Sequence, residues 1–241
     1  MKCTDNQKSM ANSKIFILLL LSMSLFQSCF LKESKPDETA ISTRFEKEIK
    51  AFEQQDKLSN SEKIDVLFVG SSSIRMWTTL REDMQPFKVL NRGFGGATTA
   101  EVLQYYSRII QPHQPEVFVI YVGENDIAEG VKPDETARLN ALLFNKIEQD
   151  FSGSKIIYIS MKPSIARWNL WTDFQKGNQK IEDLCHSNPN WHYIESADMM
   201  LNQDKTVRRD IFIEDGLHMN EKGYESWSEV IKNKIIALQS E

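Results

Sequence analysis

The chain has 241 residues, 41% of them hydrophobic and 26% charged, with a formal net charge of −5. That is length for one large domain, and the mildly acidic balance gives no electrostatic footprint for a nucleic-acid partner. Four scattered histidines and three cysteines, without Cys-x-x-Cys or His-Glu-x-x-His spacing, point to no metal centre.

The N-terminus reads as a leader. Lys2, Lys8 and Lys14 precede an apolar run from Ile15 to Phe26, which is too short for a comfortable membrane span and suits a signal-peptide core. Met10 offers a second start that keeps a basic leader. The segment Phe26-Gln27-Ser28-Cys29 resembles a bacterial lipobox, with Phe26 in place of the usual leucine. The resemblance implies that residues 1–29 are a signal peptide with lipobox and that Cys29 is acylated. The chain would then be a lipid-anchored lipoprotein of the bacterial cell envelope, on the periplasmic or outer-membrane side. Cys185 would then have no partner, so the mature domain must be held by its core. Residues 30–61 read as a polar tether followed by an amphipathic helix, with Phe45, Ile49 and Phe52 at helical spacing between Arg44 and Lys57.

From residue 62 to 241 strands and helices alternate. Val66 to Val69 is a buried-strand run, and Gly70 and three serines lead from it into helical-looking sequence at Ile74–Leu80. Lys88–Asn91 is a second strand and Ala100–Ile110 a helix; Glu116–Val122 is a third strand and Asp134–Phe151 a long helix. Lys155–Ser160 is a fourth strand, followed by a polar helix over about 173–185, a fifth strand at Asn190–Glu195 and a last helix from Glu221 to Leu238. Strands that are nearly continuously apolar and alternate with helices predict an α/β fold, a five-stranded parallel sheet covered on both faces. In such sheets ligands bind at the carboxyl ends of the strands, where every unusual loop of this chain falls.

Four of these loops carry chemistry: Gly70-Ser71-Ser72-Ser73, Gly93-Phe94-Gly95-Gly96, Gly123-Glu124-Asn125-Asp126 and Asp215-Gly216-Leu217-His218. Taken singly, each has an ordinary reading as a cap or a turn. In this order, on this strand–helix pattern, they resemble the SGNH/GDSL hydrolase family from about Val66 to Trp227. The resemblance implies the three-layer α/β/α flavodoxin-like sandwich of that family. It also implies Ser72 as nucleophile, His218 as base and Asp215 as its orienting carboxylate. An oxyanion hole would come from the N–H groups of Ser72 and Gly96 and the side-chain amide of Asn125. The usual Gly-Asp-Ser is Gly-Ser-Ser here, so the aspartate is replaced by Ser71, and Ser71 and Ser73 flank the nucleophile with further hydroxyls. Gly95 beside Gly96 leaves that assignment open by one position. His113, His186 and His192 are competing bases. Asp183 stands three residues before His186, but that pair falls at the end of the helix expected over about 173–185, and none of the three follows a predicted strand in the way His218 does.

The chemistry asks for such a set. A serine hydroxyl is a weak nucleophile until a base takes its proton, and a carboxylate on the far ring nitrogen fixes the imidazole tautomer. The expected activity is carboxylic-ester hydrolysis through an acyl-enzyme, on short acyl (acetyl) groups of carbohydrates. Gly95, Ser164, Arg167 and Trp168 are the expected substrate contacts, and Arg75 and Trp77 are expected to be structural. No metal or organic cofactor is implied, and the partners are a small-molecule or glycan ester and the membrane. Lysophospholipid or thioester hydrolysis is the near alternative, and a non-catalytic glycan-binding lipoprotein is the rival from another class.

Overall fold

The five runs in which β-branched and aromatic residues crowd together become the strands of one sheet in the computed structural model, which describes residues 43–59 and 63–239. They are β1 (Val66–Gly70), β2 (Val89–Gly93), β3 (Val117–Tyr121), β4 (Lys155–Ile159) and β5 (Trp191–Ile194). All pairings are parallel and the strand order is β2-β1-β3-β4-β5. This is the flavodoxin-like arrangement, with the order reversing beside β1. The expected leader, the lipobox-like segment and Cys29 lie outside the described residues.

Period-two alternation explains why the strands are apolar throughout. Leu67, Val69, Phe118, Ile120, Ile156 and Tyr158 face one buried layer, and Val66, Phe68, Val117, Val119, Ile157 and Ile159 face the other. The first layer is closed by α1 (Glu46–Leu58) and, after the short α2 (Ser72–Arg75) and α3 (Leu80–Asp83), by α4 (Thr99–Ile109). Following α5 (Glu124–Ala128), the long α6 (Pro133–Asp150) and α7 (Trp171–His186) complete that layer. After α8 (Ala197–Met200), the last helix α9 (Glu221–Gln239) covers the second layer through Tyr224, Trp227, Ile231 and Ile235. Among the described residues, Phe45 and Ile49, ahead of and within α1, are buried in the first layer, so this helix packs on the sheet domain. Cys185 is buried there too, and burial pushes its thiol up to about 12, so it is a packing residue with little thiolate character.

The helical sequence expected at 74–80 forms two separate four-residue pieces, α2 and α3. Thr78 and Thr79, β-branched and poor helix formers, fall in the break. Trp77 turns fully inward, and its indole N–H and the Thr79 hydroxyl both donate to Asp83 Oδ2 (2.6 and 2.7 Å). Helix α2 is too short for a useful macrodipole, so what it offers a ligand is local N–H geometry.

Gly70 is where the layers meet the site. It sits at φ +154°, and a Cβ there would lie 2.0 Å from the Tyr121 carbonyl oxygen. Neither atom has room to move, since the Ser71 N–H donates to the same carbonyl at 3.1 Å. Gly70→Ala is expected to destabilise beyond the ~3 kcal/mol upper range of ordinary point mutations. Denaturant midpoints of purified protein would check this, and a native-like midpoint would refute it.

Candidate active site

Strand register assembles the loops. Gly70 pairs with Gly93 on β2 and with Tyr121 on β3, so three strands end at one level and their exit loops begin side by side. The Phe94 N–H donates to the Gly70 carbonyl (3.0 Å) and links the first two loops. Ser72 opens α2 with its hydroxyl 2.7 Å from His218 Nε2, across 146 residues of sequence. The flanking hydroxyls are elsewhere: Ser71 and Ser73 are 3% and 1% exposed, and neither meets a histidine. Of the three serines, only Ser72 presents its hydroxyl to a base.

His218 is held from its other side. Its Nδ1 lies 2.5 Å from Asp215 Oδ2, while Asp215 Oδ1 accepts from the backbone N–H of Leu217 (2.8 Å) and of His218 (2.9 Å). Partial burial works against the Asp215 charge, but these hydrogen bonds overcome it and hold the carboxyl down at about 2. An ionised Asp215 makes Nδ1 the protonated ring nitrogen and leaves Nε2 as the acceptor facing Ser72. The loop is clamped by a Phe212–Met219 bridge, by Ile213 N–H to His218 carbonyl (2.9 Å) and by Gly216 N–H to Ile213 carbonyl (3.0 Å). The competing histidines lie apart. His113 is half-buried 3.6 Å from Asp56 on the α1 side, its pKa lowered first by burial. His186 is exposed at the end of α7, and His192 lies within β5.

Two contacts that the sequence did not reveal brace the serine turn against α9. Tyr224 on α9 donates its hydroxyl to the Ser73 carbonyl (2.8 Å), and Trp77 stacks on Tyr224 at 5.1 Å. Tyr224→Phe removes one buried hydrogen bond, with an expected loss of about 1 kcal/mol and a several-fold fall in kcat as Ser72 loosens against His218. Thermal midpoints and steady-state kinetics on one ester would read both.

The residues expected to supply the oxyanion donors sit on the segments that follow β1, β2 and β3. Gly96 has φ +82°, a backbone conformation that favours glycine, and open space where a Cβ would stand. Gly95 is different: a Cβ there would lie 2.9 Å from Arg75 Nε, so Gly95 makes room for a guanidinium. Asn125, buried in α5, donates one Nδ2 hydrogen to the Ala97 carbonyl (2.9 Å) and accepts at Oδ1 from Arg167 Nη2 (2.8 Å). Ser164 is fully buried, and its hydroxyl accepts from the Arg167 N–H (3.3 Å), which closes the loop's own turn. Trp168 is 44% exposed and stacks on Trp171 with the rings 16° from parallel. It borders two cavities, one of about 510 Å³ lined also by Gln175 and Gln179, the other of about 760 Å³ lined also by Ile165, Asn202 and Arg209. A third cavity of about 620 Å³ is lined by Lys63, Lys88 and His113, near the amino ends of the strands, and by none of the expected site residues.

Two buried carboxylates beneath the site went unassigned in the sequence. Glu124 pairs with Lys162 (3.2 Å), a fully buried lysine whose ammonium is pushed down by burial and held against that by Glu124. Asp126, fully buried, accepts from the Thr99 N–H with both oxygens (3.1 and 3.0 Å) at the start of α4. Burial raises its carboxyl from 3.8 to about 6, against the pull of those bonds. A carboxyl raised on folding contributes stability fully present below about pH 3.8 and lost as pH climbs through about 6. Asp126→Asn is therefore expected to abolish a decline of the order of 3 kcal/mol between about pH 4 and pH 7. Urea midpoints at the two pH values, wild type against variant, would show it; parallel slopes would overturn it.

A 2-1-3-4-5 parallel sheet carrying this constellation at its carboxyl edge has the architecture of the SGNH hydrolases. Residues 68–225 match the GDSL-like lipase/acylhydrolase family model. The chain belongs to that family. Among curated proteins it is similar to platelet-activating factor acetylhydrolase IB subunit alpha2 of Homo sapiens, 27% identical over 183 residues, covering 73% of this chain and 78% of the relative. Among solved structures it is similar to a GDSL-like lipase from Bacteroides thetaiotaomicron (TM-score 0.65, 21% identity, covering 81% of this chain and 97% of the other). It is also similar to a variant of an acetylxylan esterase from Geobacillus stearothermophilus (TM-score 0.60, 13% identity, covering 71% and 94%). At these identities the structural likenesses show the shared fold.

Proposed function

We propose that this acylhydrolase-family member is a serine carboxylic-ester hydrolase that removes acetyl or other short acyl groups from carbohydrates. The observation that carries the reading is the continuous chain from Ser72 Oγ through His218 (2.7 Å) to Asp215 (2.5 Å). Ser72 Oγ attacks the ester carbonyl carbon as its proton passes to His218 Nε2. The negative charge that develops on the carbonyl oxygen is met by the Ser72 and Gly96 N–H groups and the free N–H of Asn125. Collapse breaks the bond to the alcohol oxygen, which takes the proton from His218 and leaves. Water, deprotonated by the same imidazole, then releases the acid from Ser72.

For the acyl group, support comes from the names of relatives of two kinds, an acetylhydrolase and an acetylxylan esterase, which share the acetyl ester. For the alcohol, support comes from Trp168, an exposed indole beside amide-lined cavities, the combination on which sugar rings stack and hydrogen-bond. The experiment is a rate series on p-nitrophenyl acetate, butyrate and octanoate, followed by acetylated oligosaccharides and a lysophospholipid. The proposal expects the acetyl ester and the acetylated sugars to be preferred; preference for octanoate or the lysophospholipid would move it to the lipid alternative. The basic leader and Cys29 support placement at the cell envelope through an acylated cysteine. Cys29→Ser should then move the protein from the membrane to the soluble fraction, and unchanged membrane association would refute the anchor.

A further inference from the structure

The β4 exit loop touches the site in an unexpected way. Arg167 sends its guanidinium to the side-chain carbonyl of Asn125, with Nη2 2.8 Å from Oδ1. Among the described residues it forms no ion pair with a carboxylate. Placing a guanidinium on a neutral, 6%-exposed amide demands a reason, and the neighbouring carboxylates are already engaged, Glu124 with Lys162 and Asp215 with His218. The reason lies in the amide's orientation. With Oδ1 toward Arg167 and Nδ2 toward the Ala97 carbonyl (2.9 Å), both contacts are attractive. Rotating the amide by half a turn would set oxygen against the carbonyl and NH2 against the guanidinium, two repulsive contacts in a dry environment. The second Nδ2 hydrogen is then always available to a ligand.

We propose that Arg167 is the positioning residue of the oxyanion hole, holding the Asn125 amide donor-forward and polarising it through a charge-assisted hydrogen bond. The inference rests on the reading of Asn125 as an oxyanion donor. Electron density drawn toward the guanidinium makes the free N–H of Asn125 a stronger donor, and that donor matters most when the carbonyl oxygen carries charge. The loop is built to hold Arg167 there: its N–H donates to the buried Ser164 hydroxyl, and the Ala166 N–H donates to the Gly216 carbonyl (3.0 Å) beside Asp215.

The test is a double-mutant cycle on p-nitrophenyl acetate, whose small leaving group excludes contacts to a sugar or lipid. Arg167→Ala is expected to lower kcat by about 10- to 100-fold with KM nearly unchanged, the range for one charged hydrogen bond. Asn125→Ala is expected to lower kcat by on the order of 100- to 1,000-fold. Adding Arg167→Ala to Asn125→Ala should then change nothing further, and Arg167→Lys, which keeps a cationic donor, should recover part of the loss. Additive losses in the double variant, or an effect on KM alone, would show that Arg167 binds substrate directly and overturn the proposal. The rate at which a fluorophosphonate labels Ser72 gives the same cycle by a second readout, independent of turnover. Absence of any Ser72-dependent hydrolysis or labelling in wild type would instead bring down the esterase reading itself.

Discussion

Ser72→Ala is expected to lower kcat for p-nitrophenyl acetate by on the order of 10⁴- to 10⁶-fold, while Ser71→Ala and Ser73→Ala keep most activity. The asymmetry comes from geometry. All three hydroxyls stand at the same turn, but only Ser72 Oγ meets an imidazole, at 2.7 Å. Ser71 and Ser73 are buried in the strand–helix corner, where Tyr224 grips the Ser73 carbonyl. His218→Ala should fall as far as Ser72→Ala, and the double variant should fall no further, because the two groups act as a unit. Asp215→Asn should fall less, since the Leu217 and His218 N–H groups can still organise the loop around the amide oxygen. Initial rates on protein with native circular dichroism decide the matter. Full activity in Ser72→Ala would remove the proposed nucleophile.

Lys162→Met is the second large effect, and it falls on stability. Lys162 and Glu124 are 0% and 4% exposed, and the Tyr121 hydroxyl is pushed well above its ordinary range by burial and by Glu124. Removing the ammonium leaves a carboxylate in a dry site with no counter-charge, a loss of about 3–5 kcal/mol. Pairing it with Glu124→Gln removes the orphaned charge, and the double variant is expected to recover most of that loss. Urea unfolding of the three proteins would measure this, and equal stability of Lys162→Met and the double variant would refute it. Because Glu124 adjoins Asn125 in α5, the single variant should also depress kcat.

The order of strands and helices was legible because each strand carries its own local signal, a run such as Val66–Val69 or Val117–Tyr121 that only a doubly covered sheet can bury. The motif loops were legible because they sit at strand ends, where side chains and turn residues are constrained together. The choice of Ser72 over Ser71 and Ser73 came from the family motif alone, since the physical reason for it is which way a turn faces a histidine 146 residues away. The Lys162–Glu124 pair was hidden for a similar reason: sequence shows two charges in two loops and says nothing of their burial. Arg167 was expected at the substrate, where its charge and loop pointed; that its fork meets an amide 42 residues earlier is a fact of packing. The break at Thr78–Thr79 could have been read from helix propensity, but the apolar spacing of Ile74, Trp77 and Leu80 masked it.

Arg44 gives the segment ahead of α1 a stake in the chemistry. Its Nη2 donates to the Gly96 carbonyl (2.6 Å) and to Glu101 (3.0 Å), and its Nη1 reaches Glu129 (3.3 Å). The residue just ahead of α1 therefore grips the glycine proposed to supply an oxyanion N–H. A version trimmed after Leu58 would lose that grip together with Phe45 and Ile49, whereas one trimmed ahead of Ser42 would keep it. Where the protein engineer cuts ahead of the domain thus becomes a kinetic choice as well as a matter of yield.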